Sequence, residues 1–93
     1  MPAPALRFRV SENVGARRVG EEVFILAPDG DLVILGNETA VFLWEAVEAG
    51  AASVKNLAAR LGDEYAVSPE QATLDADEFV HILMERVVLL AIA

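Results

Sequence analysis

Apolar residues alternate with polar ones in the first third of the chain and recur at helical spacing afterwards. Leu6, Phe8 and Val10 are separated by Arg7 and Arg9, a period of two that fits a short strand or an extended arm. The Pro/Ala lead-in before them, residues 1–5, is expected to be loose, and residues 1–13 are assigned to an N-terminal arm. Val14 to Val19 and Glu22 to Ala27 read as two strands turned at Gly20-Glu21. Pro28-Asp29-Gly30 is a second turn, because proline presets one dihedral and Asp and Gly tolerate those that follow. Asp31 to Leu35 then completes a meander of three antiparallel strands over residues 14–35, with this last strand at an edge.

Both faces of the second and third strands are apolar. Val23 and Ile25 point one way and Phe24 and Leu26 the other, while Val33 and Leu35 alternate with Leu32 and Ile34. A half-solvated antiparallel sheet normally places polar residues on its wet side. Either the N-terminal arm or a second copy of the chain covers the outer face, or a partner does.

Helical periodicity takes over after Gly36. Asn37 caps a helix over residues 37–50 that carries Val41, Leu43, Trp44 and Val47, with Glu38 near its positive end and Gly50 as a left-handed stop. Ser53 opens a second, over 53–65, with Val54, Leu57, Ala58 and Leu61 as its stripe. Ser68-Pro69-Glu70-Gln71 starts the third, over 68–86, with a Ser cap, Pro in the first turn and Gln placed for a capping box. Its core stripe reads Ala72, Ala76, Phe79, Leu83. The remaining residues, 87–93, are strand-like or an apolar cap. The expected fold class is α+β: a three-stranded antiparallel sheet followed by a three-helix bundle, winged-helix-like, in a single domain.

Composition narrows the functions open to such a domain. Apolar residues make up 55% of the 93, which opposes disorder and leaves some apolar side chains for the surface. Without cysteine there is no disulfide framework, thiolate metal site or cysteine nucleophile. Seven Lys and Arg against fifteen Asp and Glu give a net charge of -8, which opposes nucleic acid or anionic lipid as the main ligand. The third helix opposes DNA binding by a winged helix-turn-helix, because Glu70, Asp75, Asp77, Glu78 and Glu85 outweigh Arg86; DNA binding stays a weak alternative, beside an acidic winged-helix protein that works through protein contacts. No signal peptide or membrane-length apolar run is seen, so a cytoplasmic location is expected.

Catalytic patterns are missing. The single histidine, His81, has Asp77, Glu78 and Glu85 at helical spacing, more in keeping with a solvated face than with a metal site. Ser11, Ser53 and Ser68 read as turn and cap residues, and the glycines do not space as a phosphate loop. A non-enzyme with no cofactor and no metal is expected. What remains is peptide binding. An extended peptide can complete the unpaired edge of Asp31, Leu32, Val33, Ile34 and Leu35. A groove between that edge and the third helix adds pockets, walled by the row Thr73, Asp77, Val80 and Met84 that flanks the core stripe. Met and Val adapt to varied apolar side chains, and Asp77 offers an acceptor to a basic residue. Val80 and Met84 serve equally well to complete the core.

These stretches resemble the PqqD family of peptide chaperones, small domains also called RiPP recognition elements. The likeness rests on Leu35 with Asn37-Glu38-Thr39-Ala40 and Phe42-Leu43-Trp44. It continues in Val54 to Leu61, Glu64 to Ser68 and Leu74 to Arg86, and spans roughly residues 14–89. The resemblance implies that the leader segment of a ribosomally made precursor peptide adds as a strand to Asp31–Leu35 beside the third helix. It further implies presentation to a modifying enzyme, such as a radical SAM enzyme or a leader peptidase or cyclase. The competing expectation is an interaction module that dimerises through its apolar sheet. Three positions depart from the family. Gly36 is an extra residue expected to bulge or shorten the edge. Val87 replaces the usual Gly, which argues against a left-handed cap and for a longer helix. Ile82 is apolar where the family is mostly polar, a mark of self-association or of contact with an enzyme.

Overall fold

The computed structural model describes residues 6–92, so the expectation of a loose lead-in over residues 1–5 lies outside the described residues. Five strands and three helices follow in the order β1 (Arg7–Val10), β2 (Gly15–Val19), β3 (Glu22–Leu26), β4 (Leu32–Leu35), α1 (Glu38–Glu48), α2 (Val54–Glu64), α3 (Pro69–Glu85) and β5 (Leu89–Ile92). Strands β2, β3 and β4 form the expected antiparallel meander, with Val23 opposite Leu35 and Leu26 opposite Leu32. That register runs without interruption to Leu35. Gly36 therefore lies beyond the strand and introduces no bulge. A Cβ there would come 3.2 Å from the tip of the exposed Glu22 side chain, which is free to swing aside, so neither space nor backbone conformation demands glycine at this position.

Each helix opens on the cap residue its sequence offers. The side chains of Asn37, Ser53 and Ser68 accept from the backbone N–H groups of Ala40, Asn56 and Gln71, satisfying donors that a helix start leaves free. Gln71 does not close a capping box. Its side-chain amide donates instead to Asp75 Oδ1, at 2.7 Å. Gly50 supplies the left-handed turn after α1, with φ of 110°. The core gathers the inner face of the meander, Val23, Ile25 and Leu35, under Val41, Leu43, Leu57, Leu61, Ala76, Phe79 and Leu83.

The N-terminal arm is the main departure. It does not lie over the outer face of the meander; β1 pairs antiparallel with β5, the last strand, in a second sheet. Phe8 is 1% exposed, its N–H donates to the Ala52 carbonyl, and Val54 N–H donates to the Leu6 carbonyl. Residues 6–10 thus bind the α1–α2 connection and the C-terminal strand into one core. Pairing between the two ends of a chain has no local pattern to announce it.

Val87 also departs from expectation. Helix α3 stops at Glu85, and Val87 takes a left-handed conformation with φ of 59°. Val88 N–H donates to the Leu83 carbonyl and Val87 N–H to that of Met84, the paired bonds of a Schellman cap. The strain is held in place by its neighbours. The Ser11 hydroxyl donates to the Val87 carbonyl and Ser11 N–H to that of Val88, while Val88 and Leu89 are buried. Ser11 is therefore a buried tie rather than a turn residue.

A β-branched residue pays about 1–2 kcal/mol for this conformation, against about 0.5–1 kcal/mol of added chain entropy for glycine. Val87→Gly is therefore expected to raise stability by up to about 1 kcal/mol, since Val87 is 45% exposed and packs little. A denaturant midpoint that stays put or falls would remove the strain argument.

Candidate functional site

The meander has two edges, β2 and β4. Strand β2 is exposed at every position and carries Arg17 and Arg18, charges that discourage a further strand. Strand β4 is apolar throughout, and its outer edge has no neighbour among the described residues. Which of its backbone groups are free follows from the turn before it. Ala27 N–H donates to the Asp31 carbonyl, so these two residues form a hydrogen-bonded pair. Such pairs alternate along an antiparallel ladder. Ile25–Val33 and Val23–Leu35 then face inward to each other, and Leu32 and Ile34 direct their N–H and C=O groups away from β3. Asp31 is already engaged, because its N–H donates to Asp29 Oδ1 at 3.0 Å.

Alongside this edge runs a groove of about 410 Å³ between β4, the start of α1 and α3. Val33, Leu35, Leu43, Phe79, Ile82 and Leu83 give its apolar lining. Asn37, Thr39, Asp75 and Glu78 supply polar groups. Arg86 Nη1 lies 3.3 Å from Asp31 Oδ2, tying the start of β4 to the end of α3. Both side chains are about half exposed, so the pair adds little stability. Its value is geometric: β4 and α3 run in opposite directions. Asp75 accordingly lies towards Leu35 and Asn37, and Ile82 towards the middle of the strand. At that same end Tyr65 donates to Glu38 Oε2, at 3.0 Å. Desolvation, then this hydrogen bond and nearby carboxylates, raise the phenol above its ordinary value of 10.0.

The α3 row expected to wall the groove sits elsewhere. The Thr73 hydroxyl donates to the Pro69 carbonyl, and Thr73 borders a separate hollow with Ala58, Ala59 and Val67. Val80 is completely buried, and Met84 is half-buried against the core. Asp77 faces His81, whose Nδ1 donates to the Asp77 carbonyl at 2.8 Å and lies 3.3 Å from its carboxylate. Two rows flank the core stripe of a helix, and periodicity alone does not say which meets the sheet. The structure brings Asp75, Glu78, Phe79 and Ile82 to the groove. Ile82 was the available signal: an apolar residue, 48% exposed, on an otherwise charged surface.

On the outer face of the meander, Leu26, Leu32 and Ile34 are each about half exposed, and Ile34 also borders the groove. Among the described residues no group of three or more His, Asp or Glu side chains is placed to hold a metal ion. No helix among them is long and apolar enough to cross a membrane.

The fold and the groove define a small α+β domain whose sheet is open to one more strand beside a helix. The chain belongs to the PqqD family, described as coenzyme PQQ synthesis protein D, which it matches over residues 22–89. Its fold is similar to that of TbiB1, solved in complex with the TbiA(beta) leader peptide. The two share 21% sequence identity and a TM-score of 0.81, over 91% of this chain and 98% of the other. No curated protein sequence is significantly similar to the chain.

Proposed function

We propose that this protein captures the leader segment of a ribosomally made precursor peptide by strand addition to β4 and presents it to a modifying enzyme. The observation that carries the reading is the free edge of Leu32 and Ile34 opening on an apolar groove. Main-chain hydrogen bonds to these two residues supply affinity, and side chains entering the groove supply selectivity. Membership of the PqqD family and a fold shared with a leader-peptide complex support the same reading. Val33 and Leu35 contribute side chains, and α3 contributes Phe79 and Ile82 in place of Thr73, Asp77, Val80 and Met84. The protein itself catalyses no step; a radical SAM enzyme, or a leader peptidase or cyclase, acts on the captured precursor in the cytoplasm.

Synthetic leaders from short precursor genes neighbouring this one, titrated into isotope-labelled protein, test the reading. Amide shifts should concentrate at Leu32–Leu35 and between Asp75 and Leu83. Shifts confined to β2 or to the outer sheet face with every such leader would refute it.

A second reading draws on the exposed side chains of Leu26, Leu32 and Ile34. These form an apolar strip that a second copy of the chain could cover. Light scattering distinguishes the two, because a dimer built on that strip dissociates when Leu26 and Leu32 are replaced by Thr.

A further inference from the structure

The groove is not uniformly apolar, and its charges select among extended peptides. Glu78 is exposed, and Asp75 is half-buried with one carboxylate oxygen accepting from Gln71. Neither forms an ion pair with a cation among the described residues. Arg86, the basic residue that caps the C-terminal end of α3, does not line the groove and is held by Asp31 at the start of β4. The first turn of α1 also points free N–H groups towards this end. They amount to about half a positive charge, already faced by Glu38, against two full carboxylates. The net field at the Leu35–Asn37 end is negative, and the middle of the groove, at Ile82, is apolar.

Spacing turns this polarity into a sequence rule. A strand added antiparallel to β4 places its N-terminal end over Leu35 and Asn37. Side chains entering the groove from such a strand recur every two residues, about 6.8 Å apart. Glu78 and Ile82 are one helical turn apart, about 6 Å along α3. Two successive groove-facing side chains therefore meet the acidic end and the apolar middle in turn.

We infer that the peptide this groove takes carries a lysine or arginine two residues before a large apolar residue, the first held by Asp75 and Glu78 and the second against Ile82. This rests on the strand-addition reading and names the chemistry of its ligand. Long basic side chains suit the position, since their methylene stems lie along Phe79 while the charge reaches the carboxylates.

Selection of random ten-residue peptides displayed on phage, with the wild-type protein as bait, tests the inference. Enriched peptides should share the basic-x-apolar spacing and shift the amides of Leu32 and Ile34 on titration. Replacing the basic residue of an enriched peptide by glutamine should weaken its binding about two- to fivefold, the scale of a partly exposed charge pair. The Asp75→Asn/Glu78→Gln protein should show the same loss for the basic peptide and almost no further loss for the glutamine peptide. Enriched peptides that bind at β4 without a basic preference, or equally well to the double variant, overturn the inference and leave strand addition standing. A selection in which no peptide shifts β4 overturns both.

Discussion

Replacing Ile34 with proline is expected to cut binding of an extended peptide about tenfold or more while leaving the meander folded. The argument turns on which way each β4 amide points. Ile34 N–H faces the open edge, so proline there removes a donor that only an incoming strand would use. Proline is tolerated on an edge strand when its missing N–H would have faced solvent. Val33 precedes it in an extended conformation, which proline prefers in its neighbour. Val33→Pro makes the opposite case. Val33 N–H faces Ile25 across the ladder, so its loss leaves a buried carbonyl unpaired at a cost of about 1–3 kcal/mol. The Val33 variant should therefore lose stability, and the Ile34 variant should lose binding. Ile34→Ala keeps the donor and should bind within a few-fold of wild type. Titration with a leader that binds the wild-type protein, alongside thermal unfolding of each variant, separates the effects. Unchanged binding by Ile34→Pro would mean that no strand pairs with this edge.

Much of that edge is legible from residue order. Pro28-Asp29-Gly30 sets the turn, the turn sets which residues pair, and the lack of a further strand-like segment nearby leaves β4 at the margin. Helix starts are equally legible, because Asn37, Ser53 and Ser68 act within three residues of where they stand. Properties fixed by distant contacts are not. The side of α3 that meets the sheet depends on how α3 crosses α2, and the two rows beside Ala72, Ala76, Phe79 and Leu83 look alike in periodicity. Val87 argues locally for a continued helix. It turns left-handed because Ser11, near the other end of the chain, holds its carbonyl and because Val88 and Leu89 must enter the core.

The same distant contacts make Phe8 the side chain whose truncation should cost most. Phe8→Ala is expected to destabilise the protein by about 3–5 kcal/mol, the usual range for emptying a buried aromatic site. Folded domains are stable by only about 5–15 kcal/mol in total, so the loss is a large fraction of the whole. Phe8 sits where three otherwise separate pieces meet: β1, its partner β5, and the connection from Ala51 to Val54. Because α3 runs into β5 through the strained turn at Val87, loosening β1 also loosens the C-terminal anchor of the groove wall. Hydrogen exchange in the variant should accelerate first at residues 89–92 and 52–54, with β3 amides protected until global unfolding. Phe8→Leu, which keeps most of the volume, should cost about a third as much. If Phe8→Ala changes stability by less than about 1 kcal/mol, the scale of a surface substitution, the arm is a dispensable extension and the core closes without it.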